Sequence, residues 1–146
     1  MPKTSPQKTT ESNTELTKFI LIGEDDIDDQ ELLKEVFTSV NKSFVLKFLN
    51  NGKEIVEYLE ALPDIHLPCL VVMDYNMPEE NGAEILKHLR KDRKYSSIPK
   101  IIWSTSNSEM YRNICLELGA NDYVIKPSNV REMEDVVKYM LSFCSV

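Results

Sequence analysis

Residues 69–74 read Cys-Leu-Val-Val-Met-Asp, a continuous apolar run that ends in the carboxylate of Asp74. Three other apolar runs are likewise followed by polar groups: Glu24-Asp25 after residues 19–22, Ser104 after residues 101–103, and Lys126 after residues 123–125. Short continuous apolar runs are typical of buried parallel strands, and open α/β sheets bind ligands beyond the carboxyl ends of their strands. The four runs therefore predict one site that gathers residues from distant parts of the chain.

The strand-like runs alternate with helical patterns five times from Lys18 onward. Apolar residues recur at helical spacing after the strands, as in residues 32–40 and 133–144. Lys47 interrupts the second strand, residues 44–49, which favours an edge position. This alternation predicts an α/β fold, a doubly wound parallel sheet built from five βα units with right-handed crossovers.

The composition is that of an ordinary globular domain and argues against several classes of function. The chain has 146 residues, of which 42% are hydrophobic and 28% charged, and its formal net charge is -7. The acidic balance argues against a general nucleic-acid binder, which carries a basic patch, and against anionic membrane surfaces. No apolar run approaches the length of a membrane span, and no signal-like segment opens the chain.

We expect a single folded domain over residues 18–146, preceded by a polar leader. Residues 1–17 are rich in Ser and Thr and have no apolar period, which is typical of a disordered terminus. The predicted last helix extends almost to Val146, so we expect no output domain. The chain has three cysteines, Cys69, Cys115 and Cys144. Their spacing fits no metal site, so we expect reduced thiols and a cytoplasmic protein.

Five of the six residues from Glu24 to Asp29 are carboxylates. We expect Asp26, Asp28 and Asp29 to cap the first helix or to be solvated, because acidic groups are favourable at a helix start. Glu24 and Asp25 are the first residues after the strand and are expected to point into the crevice. Converging carboxylates repel each other unless a cation joins them, and an incomplete shell of oxygen ligands suits Mg²⁺.

Asp74 is the central member of the predicted site. A carboxylate can take a phosphoryl group to form an aspartyl phosphate. The transition state spreads negative charge over three phosphoryl oxygens, so positioning and cations provide most of the catalysis. The divalent ion would neutralise one oxygen, the Lys126 ammonium a second, and the Ser104 hydroxyl could donate a hydrogen bond to the third.

Four motifs carry a family resemblance, and their order and spacing are specific. They are residues 20–25 (Ile-Leu-Ile-Gly-Glu-Asp), residues 74–78 (Asp-Tyr-Asn-Met-Pro) with Gly82, Ser104, and residues 122–127 (Asp-Tyr-Val-Ile-Lys-Pro). With these motifs the chain resembles the receiver domains of two-component response regulators, from about Lys18 to Cys144. The resemblance implies a flavodoxin-like sheet with the strand order 2-1-3-4-5.

Carried over by position, the resemblance assigns Asp74 as the phosphoacceptor and Lys126 as the phosphate-binding cation. It implies that Mg²⁺ or Mn²⁺ is bound by Asp25, Asp74 and the backbone carbonyl of Asn76, with Glu24 acting through water. The remaining positions have switch or access roles: Ser104 and Tyr123 in the switch, and Thr105 and Ser106 at the phosphate entrance. The Tyr123 ring is expected to move inward when the Ser104 hydroxyl turns toward the phosphoryl group.

The resemblance implies a stand-alone response regulator that is phosphorylated by a sensor histidine kinase or a histidine phosphotransfer protein. It would then signal to a downstream protein through a changed surface, or pass the phosphoryl group on. The fourth helix, fifth strand and fifth helix form the expected switch surface, which could also mediate a homodimer. We expect a signalling phosphoacceptor rather than an enzyme, one that assists its own phosphorylation and dephosphorylation and binds neither nucleic acid nor membrane.

Two alternatives stay open. Phosphatases of the haloacid-dehalogenase type also use an aspartyl nucleophile, but they need a second Asp two residues later as general acid/base, where this chain has Asn76. A receiver-like scaffold would bind a partner without phosphorylation, although retention of every site group argues against it.

The chain departs from the family pattern at Glu24, where Asp is commoner, and at Ser104, where Thr is usual, but the charge and the hydroxyl are kept.

Overall fold

The computed structural model describes residues 19–144, which form a five-stranded parallel sheet with helices on both faces. The strands are β1 (Phe19–Gly23), β2 (Val45–Leu49), β3 (Leu70–Asp74), β4 (Lys100–Ser104) and β5 (Asp122–Ile125). The helices are α1 (Ile27–Val40), α2 (Gly52–Ala61), α3 (Gly82–Leu89), α4 (Glu109–Glu117) and α5 (Val130–Leu141). Short 3₁₀ helices cover Asp64–His66, Arg93–Tyr95 and Ser142–Cys144. The predicted leader, residues 1–17, lies outside the described residues.

The strand order is β2-β1-β3-β4-β5, and every neighbouring pair is parallel. This order confirms the predicted doubly wound α/β fold and places the second strand at an edge. All residues of β3 and β4 are buried, because helices cover both faces of the sheet centre. Their burial explains why these strands appear in the sequence as continuous apolar runs.

Two hydrophobic layers hold the helices against the sheet. On one face α2, α3 and α4 contribute Ile55, Leu86 and Cys115 to the core. On the other face α1 and α5 pack around Trp103 of β4, and both Trp103 and Phe37 of α1 are fully buried. The two layers hold the strand ends in fixed positions beneath the site described below. Among the described helices, none is both long and apolar enough to cross a membrane.

Each of the five α-helices begins with a side-chain cap. In every case the capping side chain accepts a hydrogen bond from a backbone N–H in the first turn: Asp26, Asn51, Asn81, Ser108 and Asn129. A cap of this kind stabilises a helix by about 1 kcal/mol. Gly52 follows the second cap, and a Cβ there would lie 2.0 Å from the Glu80 carbonyl oxygen. The loop after β3 can therefore pack against the start of α2 only where that helix has a glycine.

The cysteines correct the prediction of three reduced thiols. Cys69 and Cys144 form a disulfide, with 5.1 Å between their Cα atoms and a sequence separation of 75, whereas Cys115 is a buried free thiol. The prediction was wrong because the pairing depends on α5 returning the chain to the start of β3, which cysteine spacing does not reveal. The last helix also ends earlier than predicted, at Leu141, and a 3₁₀ turn leads to Cys144.

Candidate functional site

Four strand ends bring polar side chains to the carboxyl edge of the sheet. Asp74 is the last residue of β3 and Ser104 the last residue of β4. Glu24 follows β1, and Lys126 follows β5. Because β1 and β3 are neighbours at the sheet centre, Glu24 and Asp74 lie close together. Glu24 and Ser104 are fully buried, and Asp74 is almost fully buried, so these polar groups must find partners within the protein.

The Lys126 ammonium lies at the centre of the site. Its Nζ is 2.8 Å from Asp74 Oδ2, 2.9 Å from Asp29 Oδ2 and 3.0 Å from Glu24 Oε1. Nζ also lies 4.7 Å from the centroid of the Trp103 ring, whose face attracts a cation. Burial by itself lowers the pKa of this ammonium, but its hydrogen bonds to three carboxylates outweigh burial and hold the pKa above its ordinary value. Lys126 is therefore a permanent positive charge beside Asp74.

Glu24 is the most buried carboxylate of the site. Its oxygens accept hydrogen bonds from Lys126 Nζ and from the Asp26 N–H, both at 3.0 Å. Burial has the largest effect on the pKa of Glu24 and raises it, while the bond from Asp26 lowers it. The charge of Asp74 raises the pKa again and Lys126 lowers it, which leaves a pKa of about 7. Burial and the charge of Asp74 thus disfavour the ionised form of Glu24, and a further cation beside it would stabilise that form.

Three carboxylates at the same edge fit a divalent cation. Glu24, Asp25 and Asp74 each offer one oxygen, and these oxygens lie within 4.8 Å of one another. Asp25 is exposed, so a cation can reach the site from solvent and keep water ligands. Oxygen donors and an incomplete protein shell suit Mg²⁺ or Mn²⁺. The Asn76 N–H donates to Asp74 Oδ1 at 3.0 Å, while the ligand role of the Asn76 carbonyl stays a prediction.

The loop between β4 and α4 is tied to the site by hydrogen bonds. Ser104 Oγ accepts from the Ser106 N–H at 3.1 Å, and the Ser106 carbonyl accepts from the Tyr123 hydroxyl at 2.8 Å. The Tyr123 side chain is buried, so in this structure its ring already occupies an inward position. Thr105 is exposed and Ser106 half-buried beside Ser104. A rotation of the Ser104 hydroxyl would therefore reach this loop through Ser106.

A sequence model of the response regulator receiver domain matches residues 20–138 of this chain. The chain belongs to the response regulator receiver domain family. It is 32% identical over 103 residues to the two-component response regulator ORR5 of Oryza sativa subsp. japonica, covering 69% of this chain and 75% of ORR5. It is 30% identical over 125 residues to the chemotaxis protein CheV2 of Helicobacter pylori, covering 86% of this chain but only 39% of CheV2.

Solved structures of response regulators share the architecture of this receiver domain. The phosphorylated cyanobacterial phytochrome response regulator RcpA has a TM-score of 0.77 at 26% sequence identity, and the match covers 86% of this chain and 92% of RcpA. The Mn²⁺-bound form of the response regulator Rcp1 has a TM-score of 0.75 at 27% identity, with 86% of this chain and 93% of Rcp1 covered.

The receiver domain has two further residues at its site that the sequence did not reveal. Asp29, predicted to cap α1 or to be solvated, binds Lys126, while Asp26 provides the cap. Arg112 on α4 donates from Nη1 to the Tyr123 carbonyl at 2.8 Å. No local signal distinguishes either residue, because a first-turn Asp and a polar-face Arg are common features of any helix.

Proposed function

We propose that this receiver domain accepts a phosphoryl group on Asp74 from a histidine kinase or a histidine phosphotransfer protein. One observation supports this function above the others. The Asp74 carboxylate lies at 2.8 Å from a permanent ammonium charge and beside two more carboxylates that can share a divalent cation. A nucleophile so placed faces the cations that a transferring phosphoryl group needs.

The transfer needs no group beyond those named. An Asp74 carboxylate oxygen attacks the phosphorus of a phosphohistidine, and the phosphorus–nitrogen bond breaks as the new phosphorus–oxygen bond forms. The electron pair of the broken bond stays on the imidazole nitrogen, which takes up a proton from the surrounding water. Attack of water on the aspartyl phosphate would release inorganic phosphate and restore Asp74. The same residues would thus assist phosphorylation and dephosphorylation.

Each side chain of the site has a separate part in this transfer. The Asn76 N–H fixes one Asp74 oxygen, which leaves the other oxygen near Lys126. The ammonium would neutralise a phosphoryl oxygen, and the Ser104 hydroxyl would donate a hydrogen bond to another. A bound Mg²⁺ or Mn²⁺, held by Asp25 and Asp74 beside Glu24 with the predicted help of the Asn76 carbonyl, would supply positive charge.

The signal would pass to the surface formed by α4, β5 and α5. Three side chains already join these elements: Arg112 of α4 lies 3.5 Å from the Asp122 carboxylate of β5, which also accepts a hydrogen bond from Tyr139 of α5. Large apolar side chains are exposed on the same elements: Met110, Ile114, Ile125 and Tyr139. We propose that a downstream protein or a second copy of the domain binds there. We also propose a cytoplasmic location, where the histidine kinase or phosphotransfer protein would meet this domain.

The proposal is tested by incubating the protein with Mg²⁺ and acetyl phosphate and measuring its intact mass. We expect one added phosphoryl group in the wild type and in Asp135→Asn, an exposed carboxylate on α5. We expect none in Asp74→Asn and none when Mg²⁺ is chelated. Labelling that survives in Asp74→Asn would refute the site. If the wild type gains no adduct and shows no Mg²⁺-dependent binding of beryllofluoride, the domain acts as a scaffold instead.

A further inference from the structure

The three hydrogen-bond donors of the Lys126 ammonium are matched by three carboxylates. Asp74, Asp29 and Glu24 accept from Nζ at 2.8, 2.9 and 3.0 Å. The proposed function requires this ammonium to bind a phosphoryl oxygen as well. One of the three carboxylates must therefore give way when the phosphoryl group arrives.

Two of these carboxylates are poorly placed to leave. Asp74 carries the phosphoryl group in the proposed reaction, so it stays beside Lys126. Glu24 has a side chain with no exposed surface and also accepts from the Asp26 N–H. Because water cannot reach the Glu24 carboxyl group, leaving Lys126 would leave a buried oxygen without a hydrogen-bond partner, which is unfavourable.

Asp29 differs from both in burial and in bonding. Its side chain is 32% exposed, compared with 9% for Asp74 and 0% for Glu24. Among the described residues, the Asp29 carboxylate has only Lys126 as a hydrogen-bond partner. It can therefore turn into solvent, where water takes the place of the ammonium as its hydrogen-bond partner. Asp29 also lies outside the group of carboxylates that could share a divalent cation.

We propose that Asp29 occupies the phosphate position on Lys126 in the unphosphorylated domain and competes with the phosphoryl group for that ammonium. This inference rests on the proposed function and adds a residue that sets the affinity of the same site. Asp29 is a positioning residue: it acts through Lys126 and does not touch the transferred group. It holds the ammonium at the site before phosphorylation, and its negative charge opposes the incoming anion.

Asp28 provides a matched control for Asp29. The two residues are neighbours in the first turn of α1, so Asp28→Asn and Asp29→Asn remove the same charge near the same helix end. Asp28 is exposed, and it forms no ion pair within residues 19–144. A difference between the two variants therefore reports the contact with Lys126 rather than net charge.

Beryllofluoride, which mimics the phosphoryl group, tests the competition in the presence of saturating Mg²⁺. Titration is followed by the fluorescence of Trp103, whose ring lies 4.7 Å from Lys126 Nζ. We expect half-saturation of Asp29→Asn at about three- to tenfold lower beryllofluoride than Asp28→Asn, since a neutral amide oxygen holds the ammonium less strongly than a carboxylate does. Without metal, the ¹⁵N resonance of the Lys126 ammonium should shift in Asp29→Asn but not in Asp28→Asn.

The possible outcomes separate this inference from the proposed function. Equal affinity in the two variants, or weaker binding by Asp29→Asn, would show that Asp29 supports the site and does not compete for Lys126. No Mg²⁺-dependent binding by the wild type would overturn the proposed function and this inference with it. Asp29→Ala and Asp28→Ala repeat the comparison if an Asn variant folds poorly.

Discussion

Replacing Glu24 with Gln should change how the stability of the metal-free receiver domain depends on pH. Glu24 is fully buried, and its pKa is raised from 4.5 to about 7. Between these two values the folded protein binds more protons than the unfolded chain, so the free energy of unfolding falls as the pH rises. Gln does not titrate, so the Glu24→Gln variant should lose this part of the pH dependence.

The size of the effect follows from the two pKa values. At about 1.4 kcal/mol per pH unit, the interval from 4.5 to about 7 corresponds to about 3.5 kcal/mol, of which about 2.5 kcal/mol falls between about pH 5 and pH 8. Both carboxylate oxygens accept hydrogen bonds, from Lys126 and from Asp26, whereas an amide has one accepting oxygen. Glu24→Gln should therefore also lose about 1–2 kcal/mol at every pH. The variant would be less stable than the wild type at pH 5 and of equal or greater stability at pH 8.

Urea unfolding in the presence of a metal chelator measures this difference. The free energy of unfolding of wild type and Glu24→Gln is compared at several pH values, with Glu31→Gln, an exposed residue of α1, as the control. We expect the control to follow the wild type throughout. Parallel profiles of wild type and Glu24→Gln would refute the reasoning, because they would show that Glu24 does not take up a proton in the folded state in this range.

Three further predictions concern the buried thiol, the disulfide and the glycine at the start of α2. Burial raises the pKa of the Cys115 thiol to about 11, so iodoacetamide at about pH 8 should label this thiol only after unfolding. Rapid labelling of the native protein, measured by mass spectrometry, would contradict this prediction. Cys144→Ser should lower the free energy of unfolding by about 2–4 kcal/mol without reductant, and excess dithiothreitol should remove the difference from wild type if the bond to Cys69 is the cause. Gly52→Ala should lower the free energy of unfolding by at least about 2 kcal/mol, because the new Cβ would lie 2.0 Å from the Glu80 carbonyl oxygen. An unchanged thermal midpoint would show that the loop after β3 moves aside freely.

The fold could be predicted from the sequence because its signals are local. Each strand is a short apolar run, each helix has an apolar face, and a cap such as Asp26 marks where a helix begins. In a parallel sheet the carboxyl ends of the strands share one edge. The residue that follows each run is therefore assigned to the site without any knowledge of the tertiary contacts, as Asp74 and Lys126 illustrate.

The partner of each side chain was decided only by the tertiary structure. Lys126 and Asp29 are separated by 97 positions, and the local pattern around Asp29 indicates nothing more than a helix cap. Cys69 and Cys144 meet only because α5 packs against the sheet and returns the chain to the start of β3. Short-range pattern fixes which elements form, but strand order and helix docking determine which distant groups come within hydrogen-bonding or bonding distance.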